Sequence, residues 1–292
     1  MLLQSLLRPV LTPIMRGIFD PAQSVAAAWS PLSLWPDGIL SPGMWISPRT
    51  LTSEWQDYTG TTPVVTPGTV ADTSNPVGLA LDIRAGATVL TDPGNHMLQS
   101  TSAARPLMSA YDGQTLGPGD TYSSTGYPIF QLYDGVDDGM ATAAFTAGTL
   151  ISGMDCMIPV RRDSAAACVA GIYNGIADAT KFFGMAESAS GSGCVGSGAG
   201  TPTVWVDGVQ LSGGTAVTRG TLHTALTVGD WHILEFRGLD LSTWTAAGFG
   251  LYTSYVFPGA RGDIMLYPST DSTADKDAAR QYLADYYGVT LP

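Results

Sequence analysis

The chain is short of the residues that carry most enzymatic and metal chemistry. Its 292 residues include three cysteines, three histidines, three glutamates and two lysines, and only 13% of them are charged. Cys156, Cys168 and Cys194 cannot form a complete disulfide set and show no C-x-x-C spacing. They read as small buried hydrophobes of a protein assembled in a reducing compartment, ahead of any metal site. No run of about 18 consecutive apolar residues occurs, which argues against a helical membrane span. With Lys181 and Lys276 the only lysines and a formal charge of −12, the chain repels phosphate backbones, and nucleic acid is excluded as a partner class.

The abundant residues point to β-structure. The chain is 45% hydrophobic and holds 35 glycines and 19 prolines, with much Thr, Ser and Ala, enough for a large core punctuated by turns. Its acidic residues are nearly all Asp, which serves turns and caps.

The N-terminus stands apart. Gln4 to Phe19 reads as four tetrads, "QSLL RPVL TPIM RGIF". A period of four fits neither helix nor strand, and Pro9 and Pro13 push Arg8 and Thr12 toward extended conformations. Residues 1–20 are therefore expected to form an extended arm whose apolar pairs need burial on both sides: Leu6 and Leu7, Val10 and Leu11, Ile14 and Met15, Ile18 and Phe19. It packs on its own domain or docks on a partner or on copies of itself, and docking is the reading preferred. A secretory signal fits poorly, since no charge precedes Arg8 and Pro and Arg interrupt the apolar run.

Residues 21–110 read as a connector and extended lead-in. Trp29, Trp35 and Trp45 pack an irregular stretch, and "TPG", "SNP" and "DPGN" punctuate the remainder of the lead-in. Residues 111–292 read as the main domain. Strand signals cover 127–135, 155–163, 181–188, 202–212, 231–238, 248–254 and 262–268. Asp207–Gly208 marks a two-residue hairpin turn. Seven or so antiparallel strands without intervening helices imply an all-β sandwich. One helix closes the chain, capped by Ser272 with Asp275 and stopped at Gly288, with Ala279, Tyr282, Leu283 and Tyr286 on one face.

Residues 43–82, 94–106 ("GNHMLQSTSAARP") and 132–140 ("LYDGVDDGM") resemble the lead-in and first strands of concanavalin A-like (LamG-type) domains. Such domains are widespread in virion proteins of tailed bacteriophages. The C-terminal "ARGDIMLYPSTDSTADKDAARQYLADYYGVTL" is similar to the strand, linker and helix that end them, and the tetrads resemble arms of phage tail and fibre proteins. Tyr133 replaces an expected Phe, and the Gly/Ser-rich insert 187–201 reads as a mobile loop. The resemblance implies a concanavalin A-like jelly roll. It further implies a non-enzymatic virion protein (spike, fibre or capsid decoration), assembled in the host cytoplasm. Its arm would grip other virion proteins, and its lectin-like head would meet host-surface glycan or coat the particle. It implies a homo-oligomer, with a trimer favoured, and no required cofactor. The alternatives are a glycan-processing enzyme of the same fold and a bacterial surface adhesin, the latter requiring an export signal that is not seen.

Few individual residues carry chemistry in that frame. Glycosidase action needs a pair of carboxyl groups, about 5 Å apart in retaining enzymes, and glucanases of this fold carry Glu-x-Asp-x-x-Glu on one strand. Here Glu54, Glu187 and Glu235 are isolated, and Glu235 is expected to pair with Arg237. His96, His223 and His232 lie in no hydrolase motif; His96 is expected in a turn with Asn95 left-handed, His223 at a solvated strand end and His232 in the sheet. Asp134, Asp137 and Asp138 either bind turn amides, the preferred reading, or donate oxygens to Ca²⁺. "RGD" at Arg261–Asp263 is a frequent chance match. Among aromatics that could stack on sugar, Trp205, Trp244, Tyr252 and Tyr255, core packing accounts for Trp205, as it does for Trp231, and Trp244 is the glycan-binding candidate.

Overall fold

The computed structural model describes residues 29–49, 53–64, 75–110, 128–145, 149–174, 178–212, 217–269 and 272–292. The chain divides into two units, Met1–Ser33 and Leu34–Pro292. The arm and its eight anchoring candidates, Leu6 to Phe19, lie outside the described residues.

The lead-in supplies β1 (Met44–Ile46), β2 (Glu54–Trp55), β3 (Leu79–Ala80), β4 (Met97–Leu98) and β5 (Leu107–Ala110). From Ile129 onward the chain forms β6 (Ile129–Asp134), β7 (Met140–Thr142), β8 (Ser152–Arg162), β9 (Cys168–Val169), β10 (Met185–Ala186), β11 (Thr203–Val206) and β12 (Val209–Ser212). Then come α1 (Arg219–Ala225), β13 (Trp231–Asp240), β14 (Gly248–Phe249), β15 (Leu251–Tyr252), β16 (Tyr255–Val256), β17 (Pro258–Arg261), β18 (Ile264–Pro268) and α2 (Thr273–Tyr287).

Two antiparallel sheets organise these strands. The main sheet runs β12-β11-β13-β8-β17-β6-β5, with β18 and β1 branching from β8; the second runs β14-β7-β4-β3-β2. The lead-in provides strands to both sheets. One core joins them: Met44, Ile158, Leu234 and Phe236 from the main sheet share an apolar cluster with Ala80, Met97, Met140 and Phe249 from the second. Burial of such side chains contributes about 1.5–3 kcal/mol each.

β8 is the spine, buried from Met154 to Arg162. It contains Pro159, unusual in a central strand because proline gives the ladder no donor. The reason is positional: β17 pairs with β8 at Val160–Arg162 and β18 at Met154–Met157, so Pro159 falls where one neighbour gives way to the other. The β11–β12 hairpin turns through Asp207 and Gly208, both at positive φ (53° and 81°), as the sequence predicts.

Helix α2 is capped as expected, with Ser272 accepting from Asp275 N and Gly288 left-handed. Its buried face is Ala279, Arg280, Leu283, Ala284 and Tyr287, whereas Tyr282 and Tyr286 are half-buried. Those two rings clasp the Arg49 guanidinium, at 4.2 and 4.4 Å. Helix α1, whose N-cap Thr218 accepts from Thr221 N, is not foreseen by the sequence reading. Of the 181–188 signal only Met185–Ala186 is strand. The Gly/Ser-rich insert is packed, with Cys194 and Ala199 fully buried and Cys194 N donating to Val217 O at 3.0 Å.

Candidate functional site

The residues singled out in the sequence do not converge. Trp244 is 4% exposed, its Nε1 donating to Gly198 O at 2.7 Å and its ring against Phe183. Its faces belong to the core, so the expected sugar-stacking role is corrected. Trp205 takes the opposite correction: its strand alternates, Val204 and Val206 point inward, and Trp205 stands half-buried on the outer face with Arg237 over its ring at 4.3 Å. Trp231 is likewise half-buried, against Phe130 and Tyr287.

Arg261 and Asp263 are both 0% exposed, so the RGD triplet presents no adhesive loop. Asp263 instead accepts from Trp45 Nε1 at 2.9 Å and Tyr287 OH at 2.9 Å, and pairs with Arg49 at 3.0 Å. In the aspartate turn Asp134 Oδ1 accepts from Val136 N and Asp137 N, and Asp138 Oδ2 from Asp134 N. Burial, with Asp134 and Asp137 nearby, pushes the Asp138 carboxyl up to about 7. Glu235 meets Arg237 as expected, and also Arg280. All three cysteines are free and buried, and burial raises each thiol.

The histidines are structural. His96 is held in its turn between Asp82 N and Asp92 O, while Asn95 is not left-handed and donates to Gly43 O. His223 lies in the last turn of α1, not at a strand end, and contacts an Arg162 guanidinium nitrogen and Ala165 O. His232 holds an arrangement that local motifs could not reveal. Its Nδ1 lies 2.7 Å from Asp207 Oδ2 and its Nε2 2.8 Å from Thr227 Oγ1, the order of an acid–base relay. Two contacts close it. Thr227 N donates to the same Nε2 at 3.1 Å, and Thr227 Oγ1 lies 2.8 Å from Asp230 Oδ2 as donor. The imidazole lone pair and the hydroxyl proton are thereby committed to the turn entering β13.

The surface feature suited to a ligand is a groove of about 800 Å³ on the second sheet. Leu98 of β4, Met140 and Ala141 of β7 and Gly248 of β14 line it. Gly248 is needed there, since a Cβ would meet the Tyr173 ring at 2.3 Å. Tyr58, 44% exposed, stands on the rim, presented by a turn in which Asp57 accepts from the amides of Thr59, Thr61 and Thr62. Asn174 also lines the groove; its Oδ1 accepts from Thr245 N and Ala246 N, leaving Nδ2 with no protein acceptor among the described residues. Asp178 is the single carboxylate among the described residues of the lining, its acidity raised by hydrogen bonds from Thr180. An apolar floor, an exposed ring, an amide donor and an ionised acceptor suit recognition of a polyhydroxylated ligand. Among the described residues no second carboxyl lines the groove.

Comparisons with family models, with curated proteins and with solved structures find no match for this chain. Among the described residues no helix is long and apolar enough to cross a membrane.

Proposed function

We propose that this chain is a non-enzymatic virion protein of a tailed bacteriophage: an N-terminal arm anchors it to the particle, and a concanavalin A-like sandwich presents a glycan-binding groove. The observation that carries the binding role is the groove with Tyr58 exposed on its rim, apolar strand residues in its lining and Asp178 as the single carboxylate among its described residues. An aromatic face stacks on the C–H face of a sugar while flanking amide and carboxylate groups bond its hydroxyls, and a lone, fixed carboxylate serves binding and not hydrolysis. The virion setting rests on the sequence, through the tetrad arm and the resemblance of the lead-in and C-terminal helix to phage modules.

Titration of the full chain with host-surface polysaccharide tests the binding role. Saturable binding without release of reducing sugar is expected, with Tyr58→Ala weakening affinity about tenfold. Absence of binding, or an unchanged affinity in Tyr58→Ala, overturns the groove assignment; released reducing sugar overturns the non-enzymatic one. Deleting residues 1–20 tests the anchor separately: the truncated chain should fold but fail to enter particles.

A further inference from the structure

Among the described residues the groove on the second sheet is lined by one charged side chain, Asp178, and by no lysine, arginine or histidine. The Asp178 side chain is 32% exposed. Thr180 donates to its Oδ1 from the amide at 3.0 Å and from the hydroxyl at 2.8 Å, which holds the carboxyl below its usual range and therefore ionised. Tyr58, Gln99, Ser100 and Asn174 add only neutral polar groups to the lining.

Two cations adjoin residues of the lining, and both are bonded to backbone. Lys181 Nζ donates to Thr243 O at 2.9 Å and lies 3.6 Å from Asp178 Oδ2. Arg105 donates to the carbonyls of Gln99, Gln56 and Ser100, at 3.0, 3.1 and 3.1 Å. Tight recognition of an anionic sugar group uses charged donors directed at it, and this lining offers none. An exposed ion pair is weak, so Lys181 offsets Asp178 only in part. A ligand carboxylate or phosphate seated here would face a fixed like charge.

An uncharged sugar meets the opposite situation. The bond from Asn174 N to Lys181 O, 2.9 Å, holds the Asn174 amide beside the segment that carries Asp178. A neutral donor and an ionised acceptor side by side match hydroxyl groups, which both accept and donate. Within the glycan reading, on which this rests, we infer that the groove selects uncharged sugar chains and that Asp178 is the residue that rejects anionic ones, those bearing uronate, sialate or phosphate.

Bacterial capsular polysaccharides tested as pairs, each uronate-bearing polymer beside its carboxyl-reduced form, decide this with the full chain. Titration should show the reduced, neutral forms binding about tenfold or more tightly, the penalty of setting a second carboxylate against Asp178. Asp178→Asn should close that gap to about threefold or less, because the amide oxygen can still accept from Thr180 and the rest of the chain's charge is untouched. In the unaltered chain, roughly 0.5 M salt should narrow the gap as well. Native forms binding as tightly as reduced ones would overturn the inference and leave the glycan reading standing. An undiminished gap in Asp178→Asn would assign the rejection to the formal charge of −12 as a whole and overturn the role of Asp178. Binding of no polymer in either form would overturn the glycan reading itself, and the inference with it.

Discussion

Gln131 donates its side-chain amide to Glu54 Oε2 at 2.9 Å, a bond that ties β6 of the main sheet to β2 of the second through the middle of the molecule. Both residues are 0% exposed, and Gln131 Oε1 in turn accepts from Tyr133 OH and from Arg261. The lead-in is thus stitched into the core by a polar network and not merely laid over it.

This network has a proton dependence. Burial pushes the Glu54 carboxyl up to about 8, against the pull of Arg261 and Gln131. The folded state then holds the proton more tightly than the unfolded chain, whose carboxyl titrates near about 4.3. The associated stability is complete below about pH 4.3 and is lost as pH rises through about 8. Asp138, pushed up to about 7, has the same sign over a narrower window. Denaturant unfolding from about pH 5 to about pH 9 should show stability falling by about 2 kcal/mol or more. Glu54→Gln should flatten most of that slope, and Glu54→Gln with Asp138→Asn nearly all of it. A slope unchanged in the double variant would contradict the assignment.

Asp57 works in the opposite sense. Hydrogen bonds from Thr59, Thr61 and Thr62 outweigh desolvation and hold its carboxyl well below the usual range. Its contribution is present above about pH 4 and is lost as pH falls. Because the same turn carries Tyr58, Asp57→Ala should weaken polysaccharide binding severalfold and lower the unfolding midpoint modestly at neutral pH, the midpoint difference shrinking as pH falls below about 4. Calorimetric titration beside thermal melts of both proteins at neutral and acid pH checks this. Unchanged binding by Asp57→Ala would place Asp57 in the fold and not in the groove.

Asp263 illustrates how tertiary context overrides a motif. The triplet Arg261–Asp263 reads as an adhesive signal only if exposed, yet Asp263 joins Trp45 of β1, Arg49 and Tyr287 of α2 with no exposure at all. Asp263→Ala should cost about 3–5 kcal/mol, since it strands the Arg49 charge and two polar hydrogens. Urea unfolding measures the loss, and a value under about 1 kcal/mol would show the cluster to be dispensable.

Local chemistry is legible in the sequence, and long-range pairing is not. Ser272, Asp275 and Gly288 bound α2 because caps are made by neighbours, and Asp207–Gly208 marks the hairpin for the same reason. The lead-in strands β2 to β4 are two residues each, too short for any periodicity, and exist only through pairing with one another and with β7. Trp205 and Trp244 have the reverse of their expected exposure because composition says neither which face β11 turns to solvent nor that the connection between β13 and β14 folds Trp244 onto Phe183. The groove has no sequence signature because Tyr58, Leu98, Met140, Tyr173 and Gly248 come together from distant segments and share no spacing.

Helix α2 supplies the sharpest separation between ion pairs that matter and those that do not. Lys276 meets Asp155 at 2.6 Å and, among the described residues, is the only cation paired with that fully buried carboxylate, whose other oxygen accepts from Gly238 N. Glu235, equally buried, has two cations, Arg237 and Arg280. Removing one partner from a buried pair leaves a charge without compensation, whereas removing one of two leaves a pair intact. Lys276→Met should therefore destabilise by about 3 kcal/mol and Arg237→Met by about 1 kcal/mol or less. Adding Asp155→Asn to Lys276→Met should recover most of the loss, because the neutral amide still accepts from Gly238 and no longer buries an unpaired charge. The double-mutant cycle by urea denaturation decides it: equal losses for the Lys276 and Arg237 variants, or no recovery in the double, would mean that α2 is held by its apolar face alone.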